Sequence, residues 1–485
     1  MSHSVETLPL GEDKGRSRRP IVELLLLAAP TVAQMASYTV MTFVDRFMLS
    51  YVGDHEAASA GTSGLTFFCF IGFGFGVMFI VNALTSQSLG RNDGKSVGQY
   101  LWQGIWFGLA FGMLTWISYP FAEPLFLAMG HEPAIASLEA TYFQVLALGA
   151  PIKLISMAMG QSLLGLHRPT VVMFAAFAGV LANVVFNYLL IYGHYGFPRL
   201  GIAGAAWGTN AACAVELLVL GVYLARPKMV KMFNTFDWRV RWPMMKTLLV
   251  IGVPAGFQLI CDITAWTVFM NVIVASFGTA ALTANSFAFG YMHLAFMPAF
   301  GVGTAVTALV GKYIGSGEPE KGERRAHLGF FVCAAYMMTI GVGLFIFREP
   351  LMRLFSDDPE VIRIGSLLLI FIAAYQLFDA MFVIYVSALR GAGDTMVPAI
   401  VQAILVWTIV VGGGAISVKY FPEWGVAGPW TLATIFGGIL GLYLLLRFQR
   451  GKWKSIRLAP DTTGDKVTGL KMVAQTNAQI HGIVP

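Results

Sequence analysis

Three carboxylates stand where so apolar a chain can least easily carry them. Asp379 is the only charged residue in the 24-residue run Ser366 to Leu389, SLLLIFIAAYQLFDAMFVIYVSAL. As a helix, that run is long enough to cross about 30 Å of hydrocarbon. A carboxylate at its middle costs roughly 2.5–3.5 kcal/mol on insertion scales, so it should face a partner or a water-filled cavity. Tyr375, four residues earlier, shares its helical face. Asp45 ends a second row, Gln34, Tyr38, Thr42 and Asp45, spaced four, four and three. A third row holds Gln258, Asp262 and Trp266. Asn183 and Asn187, again four apart, and Thr209 add amide and hydroxyl oxygens.

A carboxylate among amide and hydroxyl oxygens is the hard donor set that a desolvated Na⁺ needs. The same carboxylate can instead take up and release a proton. Asp262 and Asp379, facing one cavity, cannot both ionise cheaply, so at least one is expected to exchange a proton near neutral pH. Two candidate sites follow. Asp45, Asn183, Asn187 and Thr209, with Gln34, would couple a cation in the first half. Asp262, Tyr375 and Asp379, with Gln258, would bind a cation or substrate in the second. Na⁺ could sit in either.

Plainer roles stand beside these. A lone Asn or Thr in a spanning helix ordinarily bonds one helix to another. Arg46 points about 100° away from Asp45 and should snorkel to the outer interface. Lys153 and Glu216 could form a structural ion pair, line a cavity or serve transport. His293 reads as a hydrogen-bonded wall residue.

The elements that must position these groups are membrane spans. The 485-residue chain is 56% hydrophobic and 12% charged, with mean hydropathy +0.69. A soluble domain carries about twice that charge. Twelve apolar runs lie near 22–50, 57–86, 98–120, 136–163, 169–193, 201–225, 243–277, 281–311, 325–347, 364–389, 396–418 and 425–446. With the N-terminus inside, 25 Lys and Arg flank the inner ends and 5 the outer, which predicts two cytoplasmic termini. Arg390, in ALRGAGDT, reads as a cation at the membrane boundary. The net charge of +6 lies in short loops and tails, so nucleic acid is not expected as a partner. Cys69, Cys213, Cys261 and Cys333 fall inside the spans without metal-ligand spacing, and neither disulfide nor zinc is expected.

The chain repeats itself. SLGRNDGKSVGQY (88–100) resembles YIGSGEPEKGERR (313–325), and YGFPRLGIAGAAWGT (195–209) resembles KYFPEWGVAGPWTLAT (419–434). The offset of about 225 residues divides the chain into a cytoplasmic N-terminal tail (1–20), an N-lobe (21–225), a basic linker (226–242), a C-lobe (243–446) and a C-terminal tail (447–485). Six spans per half give both halves one orientation. The expected fold is all-α, two six-helix bundles related by a pseudo-two-fold axis along the membrane normal. Trp453, in the basic start of the tail, is expected as an interfacial anchor. The acids break the repeat: the position equivalent to Asp45 is Phe269, and that equivalent to Asp379 is Leu154. Costly residues that depart from a symmetric scaffold point to chemistry rather than architecture.

Phe43-Val44-Asp45, LANVVFNYLLIYG (181–193), GIAGAAWGT (201–209), ANSFAF (284–289), VGKYIGSG (310–317) and ALRGAGDT (388–395) together resemble the multidrug and toxic compound extrusion (MATE) family, over about 20–447. The resemblance implies export of organic cations, often aromatic or amphipathic, in exchange for inward Na⁺ or H⁺. It implies no cofactor beyond that ion, a monomer, and a bacterial plasma-membrane location. Asp45 matches the family's first-span acid, with Asn183, Asn187 and Thr209 at the polar positions grouped with it. Asp262, Tyr375 and Asp379 match the second-half positions of the NorM-like branch. Two departures stand out: Asn187 replaces a second Asp found in some members, and Asp262 is one methylene shorter than the Glu common there. The alternatives are a lipid-linked-sugar flippase of the wider superfamily, for which a more cationic cavity is expected, and an intramembrane enzyme. No HExxH or GxxxxGK[ST] pattern occurs and the few His residues are scattered, which disfavours a metal-dependent enzyme or a nucleotide-driven pump.

Overall fold

The computed structural model describes residues 19–456; the tails expected at 1–20 and 447–485 lie largely outside that range. Twelve helices are long and apolar enough to span a bilayer. They are α1 (Pro20–Ser50), α2 (His55–Gly90), α3 (Gly94–Ala128), α4 (Pro133–Gly165), α5 (Pro169–Tyr192) and α6 (Ile202–Leu224). A second set follows: α7 (Trp242–Phe277), α8 (Thr279–Gly315), α9 (Pro319–Ile346), α10 (Pro359–Ala392), α11 (Met396–Tyr420) and α12 (Ala427–Gln449). Five of them, α1, α4, α5, α9 and α10, begin on a proline, whose fixed φ and missing N–H suit a first helical position. The expected twelve spans and all-α class are therefore present. An even number of spans puts the start of α1 and the end of α12 on one face, called here the terminal side.

The repeat is visible in the backbone. The turns entering α6 and α12 both place a glycine at left-handed φ, Gly201 at 55° and Gly425 at 53°. The first helix of each half also crosses into the other half's core. Leu24, Leu27 and Ala28 of α1 pack with the C-lobe core, and Met244, Leu248 and Ile251 of α7 pack with the N-lobe core. Close packing of those apolar side chains ties the lobes at their terminal-side ends.

Polar bonds between the lobes gather at the same end. Glu23 of α1 accepts from Arg325 Nε at 2.7 Å and Tyr313 Oη at 2.8 Å, and lies 3.7 Å from Lys312 Nζ. Thr31 Oγ1 donates to the Gly301 carbonyl at 2.8 Å, and Gln87 Nε2 to that of Gly391 at 3.0 Å. The last turns of α2 and α8 touch backbone to backbone. A Cβ at Gly90 would overlap the Lys312 carbonyl oxygen, and one at Gly315 would overlap that of Gln87.

One expectation is corrected here. Trp453 is no lipid anchor: it is fully buried, stacked on Phe448 at 4.6 Å and donating to the Phe448 carbonyl at 2.7 Å. A short 3-10 turn, Lys452–Ser455, folds it back under α12. The linker also has structure. A helix, Pro227–Phe233, leads to a segment held on α3 by Trp102 and Trp106, whose indoles donate to the carbonyls of Thr235 and Trp238 at 2.8 Å each.

Candidate cation sites in the two lobes

In the N-lobe, α1 carries Asp45 one turn and a half before its end, where α5 and α6 close around it. Asn187 Nδ2 donates to Asp45 Oδ1 at 2.5 Å, and Thr209 Oγ1 donates to Oδ2 at 3.4 Å. Asn187 Nδ2 also reaches Asn183 Oδ1 at 3.3 Å, as the i, i+4 spacing on α5 requires. Asp45, Asn183 and Asn187 are all buried. No cation pairs with Asp45 among the described residues, and the buried Asn187 Oδ1 accepts nothing. The cluster is an uncompensated carboxylate with spare amide oxygen, which a bound cation or a proton would complete.

Gln34 is not brought to this cluster. Eleven residues along α1 amount to about 16 Å, too far for a shared ligand although the face is the same. Gln34 Nε2 instead contacts Tyr38 Oη at 3.3 Å, and Tyr38 Oη donates to Glu216 Oε1 at 2.6 Å. Lys153 lies with its ammonium 4.9 Å from the Tyr38 ring centroid. Tyr38, Met41, Lys153, Gly179, Cys213 and Glu216 line a small cavity. Lys153 and Glu216 thus both line one cavity, with no direct ion pair between them. Arg46 is exposed and lies against Gly61 of α2. His293 is exposed on α8 and belongs to neither cluster.

In the C-lobe, Gln258 and Asp262 share one face of α7, and α11 adds a residue that sequence reasoning missed. Gln402 Nε2 donates to Asp262 Oδ1 at 2.9 Å while Gln402 Oε1 accepts from Gln258 Nε2 at 2.5 Å. A lone amide in the apolar run Met396–Leu405 was the available signal. Asp379 and Tyr375 of α10 lie within electrostatic reach of Asp262. Asp379 is buried, and its Oδ2 has no partner. Tyr375 meets Trp266 edge to face at 6.3 Å and rests on the bare face of Gly437. Asp262, Tyr375 and Asp379 carry oxygens of the hard type, and Tyr375 makes no hydrogen bond to either acid here.

The lobes differ where the repeat says they should match. Phe269, equivalent to Asp45, is fully buried in an aromatic group with Trp266 and Trp430. It begins a π-helical turn, Phe269–Val274, and α11 contains another, Val406–Gly413. Such wide turns recur at functional sites. Arg390, expected at the boundary, is also corrected. It lines a cavity between the lobes with Phe79, Asn82, Gln161, Phe300 and Thr304, and α10 runs two residues past it before turning at Gly393.

Two homologous six-helix halves, each enclosing a buried acid that its twin lacks, define a polytopic membrane protein built as a two-lobed carrier. The family model described as MatE matches residues 30–189 and again 254–413, and the chain belongs to that family. A probable multidrug resistance protein NorM of Rhizobium meliloti (strain 1021) is 30% identical over 433 residues, 86% of this chain and 90% of that protein. The multidrug resistance protein PmpM of Pseudomonas aeruginosa is 28% identical over 455 residues, 91% and 94% of the two chains. Among solved structures, an outward-facing conformation of a multidrug resistance MATE family transporter of the MOP superfamily shares the fold, with TM-score 0.81 at 20% identity. That match covers 90% of this chain and 97% of the other.

Proposed function

We propose that the chain is a secondary active antiporter, not an enzyme, exporting small organic cations and drugs in exchange for inward Na⁺ or H⁺. The observation that carries this is Asp379. Its carboxyl oxygen is buried without a partner within electrostatic reach of Asp262, in a scaffold whose lobes are bonded at the terminal side. A carboxyl left so must bind something that comes and goes. The names of the relatives support a drug-like cargo. The basic residues flanking the terminal side support two cytoplasmic termini in a bacterial inner membrane, and so an outward-facing state. Both halves of the carrier lie in one chain, so a monomer suffices. Cargo and coupling ion each favour one facing of the cleft; a hundredfold preference supplies about 2.7 kcal/mol of bias.

The test is efflux of a cationic dye from membrane vesicles under separately imposed Na⁺ and H⁺ gradients. One gradient should drive wild-type efflux, and Asp45→Asn and Asp379→Asn should abolish or uncouple it at equal membrane abundance. Efflux indifferent to both gradients would reject antiport and favour the flippase.

A further inference from the structure

We propose that Arg390 is a positioning residue for Asp262, through which the C-lobe site senses whether the lobes are closed on the terminal side. This rests on the antiport reading. Arg390 Nη2 lies 3.5 Å from Gln258 Oε1, the long end of hydrogen-bond reach. Gln258 donates to Gln402, and Gln402 to Asp262, at 2.5 and 2.9 Å. The ends of the chain set its direction. A guanidinium only donates and a carboxylate only accepts, so both amides must point from Arg390 toward Asp262. The result is a polarised chain with a cation at one end and an anion at the other, each bond strengthening the next.

Nothing else claims Arg390. Among the described residues it has no ion pair, and its buried Nε has no partner. Asp394, four residues on, is held by Arg447 through two bonds of 2.8 Å. The guanidinium sits 5.1 Å from the ring centroid of Phe79, which belongs to α2 of the other lobe. When the lobes part, Arg390 loses that face and enters water, where hydration competes with Gln258 for its N–H groups. Asp262 then loses the cation that stabilises its charge. The titratable groups facing Asp262 are Asp379 and Tyr375 on α10, with Cys261 its neighbour on α7. None of these supplies positive charge, so Arg390 is the cationic input to the pair.

The test uses the full-length protein in proteoliposomes, with ethidium as cargo and whichever gradient drives the wild type. The readout is the ion concentration at half-maximal efflux. Arg390→Met and Gln402→Leu should each lower it about tenfold, because Asp262 accepts its ion more readily without the distant cation. Arg390→Lys should restore at least half of the shift, and neither variant should shift it further in an Asp262→Asn background. Shifts that persist undiminished in that background overturn the inference, as does an unchanged half-maximum. Gln402→Leu cuts the chain without removing a charged side chain, so it serves if Arg390→Met does not accumulate. A thermal-unfolding cycle of Arg390→Met and Asp262→Asn in detergent decides the matter without transport. Non-additive losses support the coupling, and strictly additive ones reject it. Failure of wild-type efflux under either gradient rejects antiport alone.

Discussion

Tyr38 and Asp262 hold the same station in the two lobes, 224 residues apart in the register of the repeat, yet play opposite parts in their hydrogen bonds. Tyr38 donates to the carboxylate of Glu216, whereas Asp262 is itself the carboxylate and accepts from Gln402. Each follows a glutamine by one turn, Gln34 and Gln258. One ancestral polar row thus serves two arrangements, an acid reached from α6 in one lobe and an acid borne on α7 in the other.

Asn187 is the strongest donor to Asp45, so Asn187→Leu should leave a carboxylate oxygen buried and unpaired. The expected cost is about 1–3 kcal/mol of stability, with gradient-driven efflux reduced at equal expression. Unchanged melting and unchanged efflux would show that Asp45 does not depend on α5.

Closure at the terminal side depends on the absence of side chains at Gly90 and Gly315. Alanine at either would push the α2 and α8 ends apart, costing the closed state about 1–3 kcal/mol. Spin labels on α2 and α8 should report a larger separation between the terminal-side ends in Gly90→Ala. A wild-type distance distribution would mean that the contact is not limiting.

Glu23 is one carboxylate answering three groups of the other lobe, Arg325, Tyr313 and Lys312. Glu23→Gln keeps the shape and removes the charge. The closed population should fall by about ten- to a hundredfold relative to the open one, seen as faster labelling of a cysteine placed at Thr304. Equal labelling rates would demote the latch to a passive contact.

Trp453 is a docked side chain rather than a tail residue. Trp453→Ala should cost roughly 3–5 kcal/mol, as large aromatic deletions from a core do, read as a lowered unfolding temperature. A variant as stable as wild type would mean that Phe448 repacks without it.

How much was legible follows from the physics of each signal. The twelve spans and their repeat could be read because hydrophobic length and glycine-bearing turns are local properties of the chain. The acids stood out because a charge in hydrocarbon needs a reason. Gln34 was misplaced because helical periodicity reports the face of a helix and not the depth along it. Gln402 was missed because a single amide in an apolar span looks like glue until the helix beside it is known. Trp453 was assigned to the interface by its neighbours in sequence, while the backbone turn at Gly451 folds it into the protein.

The Gly90–Gly315 crossing carries one more consequence. Each glycine meets the backbone belonging to the other's helix, so the same patch is used twice about the pseudo-axis, as in an isologous contact between two subunits. The closure is in effect a homodimer interface fused into one polypeptide. On the axis a change to either half alters the fit of both.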